Sequence, residues 1–335
     1  MTEFVERFTS DAFVNQDIAK QVEKDLKINL KISPHPFCSW RSYPDQKLKT
    51  IETNRHGFRS KKLNDYNGKN YMLLGGSVAW GFGATSNDFI PSYLIEKNLN
   101  EKDNVNVINL ADQMYSSVEE VQSFVSYLDE INPKLIITLT GTNDINRAMN
   151  NRYKYSSLHS VWLDFFAWGN SLGIIREQSY IKRFIKLFIR NTKIKNIFKK
   201  DYFNLKDYKK DKILIKLFKN KIDIINTICE KKNIKVLHCL QPDICFKKNR
   251  SSYEEKYYSF LKKNYDYDFI ISSFNKLKDQ FFKNNNKDNI SYKDLTNCFD
   301  DCKETIFFDR SHVSNQGNKI ISKKITDEIN INFSL

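Results

Sequence analysis

The sequence predicts an α/β protein, a three-layer α/β/α sandwich built on a five-stranded parallel sheet. Five short apolar runs, rich in Ile, Leu or Val and bounded by turn residues, read as strands buried on both faces: 71–74, 105–110, 135–139, 234–240 and 305–308. Helical stretches separate them, and such alternation implies βαβ units with right-handed crossovers. A chain of 335 residues with 40% hydrophobic content is long enough to bury a full core.

Residues 1–65 precede the first strand and read as extended chain with turns, an N-terminal extension packed on the core domain at 66–335. They include Ser42-Tyr43-Pro44 and Thr53-Asn54-Arg55-His56-Gly57-Phe58-Arg59. The first strand runs into Leu74-Gly75-Gly76-Ser77, and a helix is expected over 89–99. After the second strand, Val118, Val121, Phe124, Val125 and Leu128 recur at helical spacing, which predicts a helix over 118–131 with one apolar face. The third strand ends in Gly141-Thr142-Asn143-Asp144. A helical, basic insertion at 150–212 follows.

Within that insertion, residues 180–200 carry eight Lys or Arg and no acid, interleaved with Ile181, Phe184, Ile185, Phe188 and Ile189. Such a helix could lie on a membrane or cap a site. The plainer reading, a helix docked by its apolar stripe with its Lys face in water, is preferred. A helix over 213–229 leads to the fourth strand, where His238 is assigned to the strand core and Gln241-Pro242 ends the strand and lines the site. A helix over 320–329 follows the fifth.

Composition narrows the partners. A net charge of +14 invites a nucleic-acid reading, but no nucleic-acid motif accompanies the Lys-rich background, and an anionic membrane face or anionic glycan fits the charge equally well. No apolar stretch approaches the roughly 18 residues that cross a bilayer. The first residues carry neither a basic nor an apolar leader segment, so a cytoplasmic location is expected. Six scattered cysteines suit free thiols, and Cys298 and Cys302 lack the second ligand pair of a zinc site.

In an open α/β sheet, ligands collect beyond the carboxyl ends of the strands. Ser77, Asn143 and the Asp309–His312 stretch each follow an expected strand, so one sheet edge can gather them. A serine alcohol needs an adjacent base to act as a nucleophile. His312 could accept its proton and return it to a leaving alcohol, with Asp309 holding the imidazole tautomer. The Asn143 amide could donate to an oxyanion beside the backbone N–H of Ser77. Asp144 is better placed as a structural carboxylate. His35, His56 and His159 have no partner pattern.

With these residues in view, the chain resembles the SGNH (GDSL-type) hydrolase superfamily. Gly75-Gly76-Ser77-Val78 is similar to its nucleophile block, with Gly76 where the name-giving motif has Asp. The stretch Asn109-Leu110-Ala111-Asp112-Gln113-Met114-Tyr115-Ser116-Ser117 resembles the second block, Gly141-Thr142-Asn143-Asp144 the third, and Asp309-Arg310-Ser311-His312 the last. The similarity covers about 70–148 and 232–330. The Tyr-Pro and Asn-x-x-Gly-Phe-Arg segment resembles an extension found before the nucleophile block in many bacterial members.

The resemblance implies a flavodoxin-like sheet, Ser77 as nucleophile, Asp309 and His312 as its triad partners, and Asn143 as oxyanion donor. It implies no metal or organic cofactor, and ester substrates with small acyl groups, carbohydrate O-acetyl groups prominent among them. The second block usually supplies a glycine N–H to the oxyanion; here Met114 aligns best, with Ala111 the other candidate. Methionine serves there without strain only if its φ is negative. The expected activity is a serine esterase that deacylates a sugar or glycan. The alternatives are an O-acyltransferase using the same triad, a lipase, and a catalytically silent binding domain. Oligomeric state is left open.

Overall fold

The computed structural model describes residues 8, 11–60, 68–100, 104–149, 210–283, 286–287 and 289–333. The insertion up to residue 209, including 180–200 and His159, and the boundary at 65/66 lie outside the described residues. Five strands form one parallel sheet in the order β4-β3-β5-β6-β7: β3 (Lys69–Gly75), β4 (Val105–Asn109), β5 (Leu135–Thr140), β6 (Lys235–Leu240) and β7 (Ile290–Asp294). This is the flavodoxin-like order, with the chain reversing direction across the sheet between β4 and β5.

Each central strand is buried on both faces, and alternate residues serve opposite layers. Tyr71 and Leu73 of β3 point into one core with Ile95 and Leu99 of α3 (Pro91–Leu99) and with Ile321 and Ile325 of the last helix (Asn315–Asn332). Met72 and Leu74 point into the other core with Phe124 and Leu128 of α4 (Ser117–Ile131) and with Ile225 and Cys229 of α6 (Lys210–Lys232). Local chemistry sets the helix ends. Pro91 opens α3 at a position that has no intrahelical N–H bond to lose. Ser116 and Glu119 form a reciprocal capping box at the start of α4, and Asn132 closes it in the left-handed conformation.

Three expectations need correction. The run 305–308 is not a strand; the fifth strand is β7. Ile306, Phe307 and Phe308 are fully buried, yet the N–H groups of Ile306 and Phe307 both donate to the buried Glu254 carboxylate at 2.9 Å. A carboxylate thus satisfies backbone that a sheet ladder would otherwise take, and the segment turns back on itself through Phe308 N–H to His312 O at 3.2 Å. The N-terminal extension is not simply extended chain. It contains helix α1 (Gln16–Lys24), capped by Asn15 accepting from Ile18 N–H at 2.8 Å, and an antiparallel hairpin of β1 (Ile32–His35) and β2 (Ser39–Ser42).

The buried face of α4 differs from its apolar spacing. Val125 is exposed, whereas Glu119, Glu120 and Ser123 are buried. Glu119 pairs with Arg147 at 3.0 Å and Glu120 with Lys221 at 3.2 Å, so partners on two other helices make that polar burial tolerable. Further helices escaped the sequence reading, among them one directly after β5 (Thr142–Met149), α7 (Ser252–Asn264) and α8 (Tyr267–Leu277). Among the described residues no helix is long and apolar enough to cross a membrane, and all six cysteines are free.

Candidate active site

The carboxyl ends of β3, β4 and β5 present three loops at one sheet edge. Strand β3 ends at Gly75, whose φ of +153° and close approach to Leu139 O leave no room for a side chain. Ser77 then opens a single helical turn, α2 (Ser77–Trp80). Gly76 has an ordinary φ of −89°, so its need is space: a Cβ there would lie 2.3 Å from Asn143 Nδ2 and 2.9 Å from Tyr115 O. The turn that carries Ser77 and the Asn143 amide are therefore packed directly together.

His312 joins Ser77 across 235 residues of sequence, with Nε2 2.6 Å from Ser77 Oγ. On the other side, His312 Nδ1 lies 2.6 Å from Asp309 Oδ2. The second carboxylate oxygen, Oδ1, accepts from the N–H groups of Ser311 at 2.9 Å and His312 at 2.8 Å. Asp309 thus fixes the loop and the ring at once. A carboxylate at Nδ1 holds the proton there in the neutral imidazole, so Nε2 presents a lone pair to the Ser77 hydroxyl. The ring rests on Phe82, with centroids 4.2 Å apart, and stacks at 6.0 Å on Phe308. Phe8 and Phe13 from the N-terminal segment pack on Phe308 in turn. The Asp309–His312 loop reaches the site from the 305–308 segment rather than from a strand end.

Asn143 is the second residue of α5 (Thr142–Met149), where its Nδ2 donates to Tyr115 O at 2.8 Å. One amide hydrogen remains for another acceptor. Helix α5 is pinned to the start of α4. Asp144 accepts from Ser117 Oγ at 2.5 Å and from Ser117 N–H at 3.1 Å, and Arg147 donates to Ser116 Oγ at 2.7 Å and Met114 O at 3.2 Å. Met114 has φ +63°, the left-handed conformation, at a cost of about 1–2 kcal/mol for a residue with a Cβ. Among the described residues its N–H and that of Ser77 donate no backbone hydrogen bond. The N–H of Ala111, by contrast, donates to Asn109 Oδ1 at 3.2 Å.

Sequence reasoning missed the polar supports. Arg59 is fully buried and donates to Gly81 O at 2.6 Å, Asn87 Oδ1 at 3.0 Å and Thr50 O at 2.7 Å, holding the turn after α2. Asp243 pairs with Arg310, inside the histidine loop, at 2.7 Å. The nearest cue was adjacency: Arg59 closes the Asn-x-x-Gly-Phe-Arg segment and Arg310 sits between Asp309 and His312. Gln241 is buried, its N–H donating to Thr140 O at 2.9 Å. His238 is strand core, within 3.1 Å of Thr138 Oγ1 and 2.9 Å of Asn226 Oδ1; burial, then Lys221, pushes it well below the usual histidine range. Among the described residues no cluster of three or more His, Cys, Asp or Glu could hold a metal.

No protein-family model and no curated protein matches the chain. Solved structures similar to it include an acetyl xylan esterase at 14% identity (TM-score 0.41, covering 78% of this chain and 99% of that one). A GDSL-like lipase from Bacteroides thetaiotaomicron is 10% identical (TM-score 0.38, 79% and 89%), and a psychrotrophic esterase from Pseudoalteromonas is 12% identical (TM-score 0.38, 78% and 97%). Likeness this distant carries no functional argument.

Proposed function

We propose that the protein is a serine esterase that removes a small acyl group, an O-acetyl group in the favoured case, from a sugar or glycan through an acyl-Ser77 intermediate. The observation that carries this reading is the relay of two 2.6 Å contacts from Ser77 Oγ through His312 to Asp309. His312 Nε2 takes the Ser77 proton as Oγ attacks the acyl carbonyl carbon, and the carbonyl π electrons move onto oxygen. The N–H groups of Ser77 and Met114 and the second amide hydrogen of Asn143 are the donors for that oxyanion. Collapse expels the sugar oxygen, which leaves with the proton held by His312. Water then attacks the acyl-enzyme with His312 again as base, releasing the carboxylic acid and restoring Ser77.

Asp309 holds the imidazole tautomer and stabilises the imidazolium in both half-reactions. Residues 1–65 belong to this reading as an extension packed on the 66–335 domain. Hydrolysis of p-nitrophenyl acetate by wild type and Ser77→Ala tests it, followed by labelling with a fluorophosphonate probe and a screen of acetylated sugars. Loss of both turnover and labelling on mutation is expected. Equal rates for the two proteins refute the reading, and transfer of acetyl to a sugar hydroxyl in preference to water turns it into an acyltransferase.

A further inference from the structure

We infer that the N-terminal hairpin is part of the oxyanion apparatus: Trp40, Ser42 and Tyr115 are positioning residues that hold Met114 in its left-handed conformation, with its N–H available to the reacting oxygen. The inference rests on the serine-esterase reading above. Of the five non-glycine residues with positive φ among those described, Asp45, Asn132 and Asn233 have short polar side chains that tolerate this region, and Ser39 lies in the hairpin itself. Met114 has an apolar side chain that cannot stabilise the conformation by local hydrogen bonding. Its support has to come from neighbours.

Strand β2 supplies that support through consecutive residues. Trp40 Nε1 donates to Gln113 O at 2.9 Å, and the Tyr115 hydroxyl donates back to Trp40 O. Ser42 donates to Asp112 twice, from N–H to Oδ2 at 2.7 Å and from Oγ to Oδ1 at 3.1 Å. Arg41 between them donates to Leu110 O at 3.5 Å and to Ser123 Oγ at 2.5 Å. The residues immediately before and after Met114 are thus both gripped by β2. Trp40, Ser42, Asp112, Gln113 and Tyr115 are all buried, so water does not compete for these bonds. From the opposite side, Arg147 holds Met114 O at 3.2 Å. The hairpin also meets α4, where Ser39 Oγ donates to Gln122 Oε1 at 3.2 Å and Arg41 to Ser123 Oγ, but the bonds of Trp40 and Ser42 to the domain all fall on 112–115, the residues around Met114.

The double variant Trp40→Phe/Tyr115→Phe keeps an aromatic ring at each position, smaller at 40, and removes both hydrogen bonds that flank Met114. It should lower kcat at least about tenfold, part of the loss expected for one oxyanion donor, while KM for p-nitrophenyl acetate stays within about twofold. Adding Met114→Gly, which needs no support at positive φ, should restore most of that loss. Unchanged kcat in the folded double variant overturns the inference, as does a loss that Met114→Gly leaves in place. If the double variant does not fold, Ser42→Ala is assayed in the same way. Methyl-labelled methionine gives a readout independent of turnover, since the chain has only four Met residues. The Met114 methyl resonance should move in Trp40→Phe/Tyr115→Phe and not in Ser77→Ala. An unmoved resonance overturns the inference whatever the activity, whereas hydrolysis that survives Ser77→Ala overturns the serine reading and leaves the resonance to judge the hairpin.

Discussion

Replacing Gly76 by alanine tests how tightly the turn that carries Ser77 and the Asn143 amide, the proposed oxyanion donor, are interlocked. The backbone at Gly76 has φ −89°, which alanine adopts freely, so the substitution acts through volume. The added Cβ would sit 2.3 Å from Asn143 Nδ2 and 2.9 Å from Tyr115 O, and ordinary contact begins at 3.4 Å. Asn143 must therefore retreat by about 1 Å, and with Tyr115 O also crowded, the 2.8 Å bond between them is lost. A displacement of that size at a reacting centre, or the loss of one oxyanion donor, costs about 10²–10³ in kcat, equivalent to about 3–4 kcal/mol of transition-state stabilisation.

Folding stability should change less. Crowding against Asn143 and the Tyr115 backbone costs about 1–3 kcal/mol and the lost hydrogen bond about 1 kcal/mol, and the stiffer unfolded chain returns about 0.4–1 kcal/mol. Steady-state hydrolysis of p-nitrophenyl acetate, with thermal melting of the same samples, separates the two effects. A large fall in kcat with a melting shift of a few degrees is expected, and Gly76→Asp should be worse than Gly76→Ala. A folded Gly76→Ala protein with kcat within threefold of wild type refutes the reasoning.

Asp309→Asn should keep the fold while presenting an amide donor to His312 Nδ1, which drives the proton to Nε2 and removes the base from Ser77. A kcat loss of about 10⁴, the magnitude known for the same change in a serine protease triad, is expected in the same assay. Lys221→Met leaves Glu120 buried without its 3.2 Å partner and should destabilise the fold by about 3–5 kcal/mol in urea titrations; adding Glu120→Gln should recover much of it. Burial holds His238 neutral, its folded pKa well below 6.5, so below pH 6.5 the unfolded chain binds a proton that the folded protein refuses. Stability should therefore fall as pH drops through 6.5 toward 5. His35 and His56 are lowered by burial too, so the difference between wild type and His238→Gln in melting temperature against pH isolates this residue. Identical slopes for the two proteins would contradict its neutrality.

The central strands were legible because burial on both faces leaves nothing polar in Met72, Ile136 or Val236 to obscure the pattern. Strand β7 was not, because an edge strand can carry Tyr292, Lys293 and Asp294 on half-exposed positions and a buried Ser291 between them and Ile290. Ile306 to Phe308 misled for the converse reason. Their side chains are as buried as any strand, but hydropathy does not reveal that Glu254 binds their backbone.

The meeting of Ser77, His312 and Asp309 was legible from short motifs, each of which encodes its own loop. The supports around them were not. Trp40 and Ser42 reach Gln113 and Asp112 across about seventy residues, and the burial of Glu119 and Glu120 depends on Arg147 and Lys221 from other helices. Only the folded chain displays such pairings.

The 235-residue gap between Ser77 and His312 has a consequence for biogenesis. A contact between such distant residues has to await the synthesis of both, whereas contacts local in sequence can form earlier. The nucleophile turn can form early, together with β3, β4 and β5, while it still lacks any base to activate it. On the serine-esterase reading, hydrolytic competence therefore switches on late, when residues up to at least 312 have emerged and the histidine loop has docked. A nascent or C-terminally truncated chain would display a native-looking serine that is chemically inert.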